Sequence, residues 1–402
     1  MKVVFFNIPA TGHINPTFGV VSELVARGEE VLYVNALETQ SLIERMGARF
    51  VPYPVSDDLT ALMARASGGD IPGNALALAK IGASLLPFVL DLLRREQPNY
   101  VIFDSLAAWG KQGAQILGIP AAASISTFVL APGYMPPLPI SAIIRTAISA
   151  LRVQIPYWRV ARSARREFGA QPVGLFGSVM STGALNIVYT SAALQPFVER
   201  LGPEYCFVGP SITVRPASTD FPFEQITRSP VVYISLGTIN NQNVDFYRAC
   251  FAAFADHPGQ FILSAGQKTD LKQLEPIPAN FIVRNFVPQL DVLQRANLFI
   301  THGGANSVHE GLYYNVPLVV IPQQFEQASV AARIVELGAG VALGGRPPFG
   351  QVTATELRAA VEQVLGARAR YQQVAARLGE SLRTAGGYVR AADELMRFGR
   401  GT

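Results

Sequence analysis

The sequence predicts an α/β chain built from two Rossmann-like, doubly wound domains. Three observations carry this. Short apolar runs alternate with longer helical stretches, the pattern of a parallel sheet covered on both faces. The pattern occurs twice, restarting near residue 231. Between the two rounds, Pro210 to Pro230 is rich in Pro, Ser and Thr and poor in helix formers, which reads as an interdomain linker. The expected boundaries are a first domain over 1–209, a linker over 210–229, a second domain over 230–380, and terminal helices over 381–402 that pack back on the first domain. Two such domains imply a cleft between them, with ligands beyond the carboxyl ends of the strands.

In order along the chain, Val3–Phe6 is the first strand. A helix follows, with Asn15 as N-cap, Pro16 at its first position and an end near Gly28. Val31–Val34, Arg49–Val51, Tyr100–Phe103 and Ala121–Ile125 continue the first sheet. Val231–Ser235, Phe261–Ala265, Phe281–Val283, Leu298–Thr301 and Leu318–Ile321 form the second. Residues 132–166 depart from the pattern. They begin Pro-rich and turn helical, with Arg145, Arg152, Arg159, Arg162, Arg165 and Arg166 and no acid between Arg145 and Arg166. Ile143, Ile144, Ile148, Leu151 and Ile155 supply an apolar face, and Pro156 limits the helix. The simpler reading is an excursion packed on the domain with a solvated basic face. The others are an acceptor pocket, or a weak contact with anionic lipid through 145–166.

Of 402 residues, 49% are hydrophobic and 15% charged, which excludes a disordered chain. A net charge of +4 is too small at this length to argue for nucleic acid. Two cysteines, Cys206 and Cys250, exclude a disulfide framework and a four-ligand zinc site, and fit a reducing compartment. The apolar run after Lys2 is too short for a signal peptide. The longest stretch without Asp, Glu, Lys, Arg or His, Gln112 to Ile144, carries five prolines, so no membrane-spanning helix is expected there. The expected location is cytoplasmic.

Four motifs carry chemistry. Pro9–Pro16 (PATGHINP) joins the first strand to the first helix. Gly12 leaves His13 free to project from the sheet edge, and a His is the usual base for a hydroxyl proton. Its alternative is a His that caps or packs the turn. Asp104 closes Tyr100–Phe103, so it too stands at a strand's carboxyl end. There it either holds the Nδ1 proton of His13 or caps the helix beginning near Leu106. The second motif, Thr301–Gly311 (THGGANSVHEG), follows a strand and opens a helix. Its glycines admit a close ligand, and Asn306 and Ser307 sit where free N–H groups favour an anion such as a diphosphate. Glu310, further along, can accept from a ribose; the alternative is an ordinary Gly-rich turn. No G-x-x-x-x-G-K-[ST] or G-x-G-x-x-G occurs, so ATPase and NAD(P) readings lack support. In the third, Val320–Gln327, Glu326 and Gln327 offer acceptors and donors together, as sugar hydroxyls require. In the fourth, Asn285–Gln289, Phe286 either stacks on a base or belongs to the core.

Taken together, these motifs resemble the bacterial macrolide- and flavonoid-type UDP-glycosyltransferases of the GT-B fold, relatives of the plant secondary-product enzymes. The resemblance spans nearly the whole chain. Its most specific part runs from Phe286 to Gln327 and includes THGGANSVHEGLYYNVPLVVIPQQFEQ; GHINP adds to it. It implies an inverting transfer of a hexose, glucose first, from a UDP-sugar to an apolar small-molecule acceptor, with no metal or resident cofactor. His13 matches the family's base and Asp104 its partner. Gly237 and Thr238 match the turn that approaches the donor phosphates, and His302, Asn306 and Ser307 match diphosphate contacts; Gly12 and Gly304 are expected among the donor-binding residues. Phe286 and Val287 match the uracil-binding stretch, Gln289 a nucleoside position, Glu310 the ribose carboxylate, and Glu326 and Gln327 the sugar-binding pair. Thr11 stands where relatives often carry a second His, and Gly303 and Ala305 where plant members have Cys and Trp. Phe286 replaces a larger aromatic or an Arg, which leaves UDP or dTDP open. Glu326 replaces the plant Asp, which leaves the hexose open. No Asp-x-Asp occurs. The loops over 54–90 and 126–180, rich in apolar residues, are expected to shape a pocket for a polyphenol, macrolide or similar acceptor. The alternatives are a sugar-nucleotide epimerase or hydrolase, a non-catalytic auxiliary of another transferase, and a nucleic-acid binder using the Arg-rich segment, which lacks aromatic interleaving and a recognisable module. Monomer and dimer are both compatible.

Overall fold

The computed structural model describes residues 1–55, 57, 59–61, 70–133, 140–213, 221–237, 241–345 and 349–401. The chain divides into two compact units, Met1–Thr213 with Thr384–Thr402, and Val214–Arg383.

The first unit contains β1 (Lys2–Phe6), α1 (Thr11–Ala26), β2 (Glu30–Asn35), α2 (Gln40–Glu44), β3 (Arg49–Pro52), α3 (Ile71–Glu96), β4 (Tyr100–Asp104), α4 (Ala108–Leu117), β5 (Ala121–Ile125), α5 (Ile140–Phe168), β6 (Leu185–Val188) and β7 (Tyr205–Phe207). Its seven-stranded sheet has the order β3-β2-β1-β4-β5-β6-β7, every pair parallel. β1 shows why its sequence is apolar without interruption. Val3 and Phe5 enter the core on one face, Val4 and Phe6 the core on the other, and all four are fully buried. A strand covered on both faces needs two apolar sets in alternation.

The second unit contains β8 (Val231–Ser235), α6 (Val244–Phe254), β9 (Gln260–Ser264), β10 (Phe281–Arg284), α7 (Gln289–Leu293), β11 (Leu298–Thr301), α8 (Ala305–Tyr313), β12 (Leu318–Val320), α9 (Phe325–Leu337), β13 (Gly340–Ala342), α10 (Ala354–Gly366) and α11 (Arg368–Arg383). Its parallel sheet has the order β10-β9-β8-β11-β12-β13. The last helix, α12 (Gly387–Arg400), belongs to the first unit. There Ala391, Ala392 and Leu395 join the core beside Val20, Val21 and Leu24 of α1. Both units are therefore Rossmann-like. In each, chain order reverses beside the first strand, between β1 and β4 and between β8 and β11. Such a switch point opens a crevice at the carboxyl ends of the strands.

The structure corrects several expectations. α1 begins at Thr11, not after Asn15, so Pro16 lies inside it. Pro16 removes one donor, the partner of the Gly12 carbonyl, while the Asn7 amide donates to the neighbouring His13 carbonyl at 3.2 Å. α5 runs unbroken through Pro156. The carbonyl left without a partner there belongs to exposed Arg152, where water can serve it. β6 (LNIV), β7 (YCF) and β13 (GVA) were not expected, since none is a continuous aliphatic run. α3 is long and apolar enough to cross a membrane by length and composition. Its Leu85, Val89, Leu92 and Leu93 are buried in the first unit's core, which explains that apolarity.

Candidate functional site

In the first unit, β1 and β4 pair with Phe6 opposite Phe103, so both strands reach the crevice together. His13 lies in the first turn of α1, and its Nδ1 is 2.8 Å from Asp104 Oδ2. The His13 side chain keeps 21% exposure while Asp104 is fully buried. Asp104 Oδ1 accepts from Leu106 N at 2.9 Å. Asp104 therefore does not cap α4, which starts at Ala108 with Ala107 as N-cap and no side-chain cap, but it closes the turn before that helix with one oxygen and partners His13 with the other. An ionised carboxylate only accepts, so this contact keeps the imidazole proton on Nδ1 and leaves Nε2 as the basic nitrogen. Ser126 Oγ also approaches His13 Nδ1, at 3.2 Å. Sequence reasoning missed Ser126, although it follows β5 at a strand's carboxyl end, the same signal that marked Asp104. Behind the pair, Asn7 Nδ2 donates to Tyr33 Oη at 2.6 Å, and Tyr33 Oη meets Thr17 Oγ1 at 2.9 Å. These bonds tie β1, β2 and α1 together under the imidazole. Gly12 is exposed, with open space where a Cβ would stand.

In the second unit, β11 ends at Thr301, opposite Ser235 of β8. His302 then lies between two glycines. A Cβ on Gly237, whose φ is +79°, would come within 2.5 Å of the imidazole, and one on Gly304 would come as close. Both positions therefore need glycine for packing, apart from any ligand. Burial pushes the His302 pKa down to about 4, opposed by the Ser235 main chain. His302 is consequently neutral at neutral pH. Gly304 is the N-cap of α8 and no side chain caps that end. The first intrahelical acceptor, the Gly304 carbonyl, is met by Val308 N, so the N–H groups of Ala305 to Ser307 lie ahead of the ladder at the positive end of the dipole.

Gln289, first in α7, reaches across to α8. Its Nε2 donates to Glu310 Oε2 at 2.6 Å and approaches Ser307 Oγ at 3.4 Å. Tyr233 Oη donates to Gln289 Oε1 at 3.2 Å, which fixes the amide's orientation. Three expected donor-site residues are thus brought together. Tyr233 was not foreseen, since it sits in an apolar strand run that reads as core. Phe286 is 54% exposed, an available stacking face, and Val287 beside it is buried. Glu326 is exposed in the first turn of α9, whereas Gln327 is buried and its Oε1 accepts from Gln323 N at 2.8 Å. Asn306 lies half-buried at the start of α8. Thr238 lies outside the described residues, as do parts of the two stretches expected to shape the acceptor pocket. Among the described residues no cluster of three or more His, Cys, Asp and Glu could hold a metal ion. Cys206 and Cys250 are both free and buried.

Residues 252–385 match the family model described as Erythromycin biosynthesis protein CIII-like, C-terminal domain. Over nearly its full length the chain is similar to the uncharacterized UDP-glucosyltransferase YojK of Bacillus subtilis (strain 168), at 34% identity covering 98% of this chain and 96% of that one. It is similar also to the demethyllactenocin mycarosyltransferase of Streptomyces fradiae, at 31% identity covering 97% and 85%. Among solved structures, the glycotransferase of kitacinnamycin superposes with a TM-score of 0.82 at 27% identity, covering 99% of this chain and 98% of the other.

Proposed function

The chain belongs to the bacterial UDP-glycosyltransferases of the macrolide and natural-product type, and from that premise we propose that it moves a hexose, glucose first, from a UDP-sugar to a hydroxyl of an apolar small molecule, with inversion. The observation that carries this reading is the 2.8 Å pairing of His13 Nδ1 with buried Asp104. It leaves Nε2 as a base directed by a fixed carboxylate, as deprotonation of a hydroxyl requires. In the proposed step the acceptor oxygen attacks the anomeric carbon and its proton passes to His13 Nε2. The new C–O bond forms as the bond to the diphosphate breaks, and the diphosphate leaves with the electron pair. Asp104 stabilises the imidazolium that results.

The α8 N-terminus supports the donor half of the reading, because the positive end of its dipole suits the charge that grows on the leaving diphosphate. His302, neutral with its pKa near 4, would add a hydrogen bond there rather than a charge. In this proposal these groups stand where other transferases use a cation. Gln289 and Glu310 would receive the ribose, exposed Phe286 the base, and Glu326 with Gln327 the hexose. A cytoplasmic location and an apolar acceptor such as a polyphenol or macrolide complete the proposal. Relatives named for glucosyl and mycarosyl transfer support a sugar donor without choosing the sugar.

The test incubates purified protein with EDTA, UDP-glucose and a panel of phenolic and macrolide acceptors, with dTDP-glucose in parallel. Mass spectrometry follows hexose addition, and NMR coupling reads the anomeric configuration. Transfer with inversion, reduced by about 10²–10⁴-fold in His13→Ala, is the expected result. Free glucose or an altered nucleotide sugar without an acceptor product would replace the transferase reading with a hydrolase or epimerase.

A further inference from the structure

α5 carries its apolar face on the wrong side for a core helix. Ile140, Ile144, Ile148, Leu151, Ile155 and Trp158 recur at helical spacing and form one stripe. Each is between 44 and 75% exposed. The residues α5 buries are Ala142, Tyr157 and Ala164, which project from the opposite side of the helix. The helix therefore packs on the unit through Ala142, Tyr157 and Ala164, with the Tyr157 hydroxyl also bonded to Ser178, and presents its large apolar stripe outward. Arg145, Arg152 and Arg159 flank the stripe along one edge. Arg162, Arg165 and Arg166 continue it at the C-terminal end, and all six are exposed. The helix holds one acid, Glu167.

We propose that this face docks on an anionic lipid bilayer, with the stripe at the level of the acyl chains and the arginines on the headgroups. Charge decides between the available occupants. A second copy docked helix on helix would bring the same arginines and a single glutamate, so that arrangement offers no counter-charge to this face. An anionic leaflet supplies phosphate along the whole basic edge, and arginine binds phosphate through paired donors. The pattern of Leu, Ile and Trp beside a basic flank, in a helix without dense negative charge, is that of a helix lying in the interface plane. Trp158 sits within the stripe, and indole favours the boundary between water and lipid.

The test needs neither donor nor acceptor, so its outcome is independent of the transferase reading. Purified protein is sedimented with vesicles of phosphatidylglycerol and phosphatidylethanolamine, and with vesicles of phosphatidylcholine. Binding is expected to be at least about tenfold tighter on the anionic vesicles and to weaken as salt rises. The chain has two tryptophans, and Trp109 is buried in the core, so a blue shift on vesicle addition should vanish in Trp158→Phe. Arg145→Gln/Arg152→Gln/Arg159→Gln and, separately, Leu151→Gln/Ile155→Gln should each reduce sedimentation. These side chains are exposed, so far-UV dichroism should stay native. Absence of sedimentation, equal binding to both vesicle types, or binding unchanged in both variant sets overturns the proposal. So does a concentration-dependent dimer that Leu151→Gln/Ile155→Gln dissolves, which would assign the face to a second copy.

Discussion

Asp104 divides its two oxygens between a turn and an imidazole, and this makes its amide variant informative. In Asp104→Asn, Oδ1 can still accept from Leu106 N, so the turn before α4 is preserved. Nδ2 then faces His13 Nδ1, and a donor there forces the ring into the tautomer with its proton on Nε2. The nitrogen proposed as the base then carries the proton, while the turn before α4 stays intact. We expect kcat to fall by about 10²–10⁴ with little change in melting temperature. Ser126 gives the contrasting case. Its hydroxyl is 3.2 Å from the same nitrogen, but Asp104 holds the shorter contact. Ser126→Ala should therefore cost about tenfold or less, the worth of one neutral hydrogen bond. Equal losses in the two variants would mean that Asp104 does not set the tautomer.

At the scale of elements, the start of α8 depends on what Gly304 lacks. A methyl group there would lie 2.5 Å from His302 Nε2, and Gly237 confines the imidazole from the other side. Gly304→Ala must displace the ring or unwind the first turn. UDP binding by calorimetry should weaken by about tenfold or more, and an unchanged affinity would remove this turn from the donor site. α12 tests a different dependence. Leu395 is 1% exposed against α1, and Arg27 Nη1 reaches Asp393 Oδ1 at 2.5 Å. Leu395→Ala should cost about 2–5 kcal/mol in denaturant unfolding of the first unit. These two helices also show what a sequence conceals. The Gly-Gly turn before α8 was legible because a strand, two glycines and the polar pair Asn306 and Ser307 coincide within ten residues. The start of α1 was not, because Pro16 is a strong N1 signal and nothing local reveals that Asn7 supports the preceding turn. Pro156 misled for a similar reason: an exposed helix can lose one internal bond to water at small cost.

At the scale of the molecule, both parallel sheets were legible because strands buried on two faces have no polar residues to spare. The short strands β6, β7 and β13 and the roles of Ser126 and Tyr233 were not, since each depends on neighbours distant in sequence. One property of the second unit follows from burial alone. His302 and His309 both have pKa values lowered to about 4 by burial, against 6.5 in an unfolded chain. Above about pH 6.5 both are neutral whether folded or unfolded, and their contribution is fully present. Between about pH 6.5 and pH 4 the unfolded chain binds protons that the folded unit refuses, so stability falls as pH falls. For His309, 1% exposed, the difference corresponds to about 3 kcal/mol once the pH reaches its folded value. Melting of the unit should therefore drop between about pH 7 and pH 5 more steeply in the wild type than in His309→Gln, where one of these two histidines is gone and His302 and the partly buried His257 still titrate. UDP should moderate the fall further, because a bound diphosphate favours a protonated His302 and raises its pKa. A melting profile that is identical in His309→Gln and wild type across this range would show that carboxylates alone govern the acid transition.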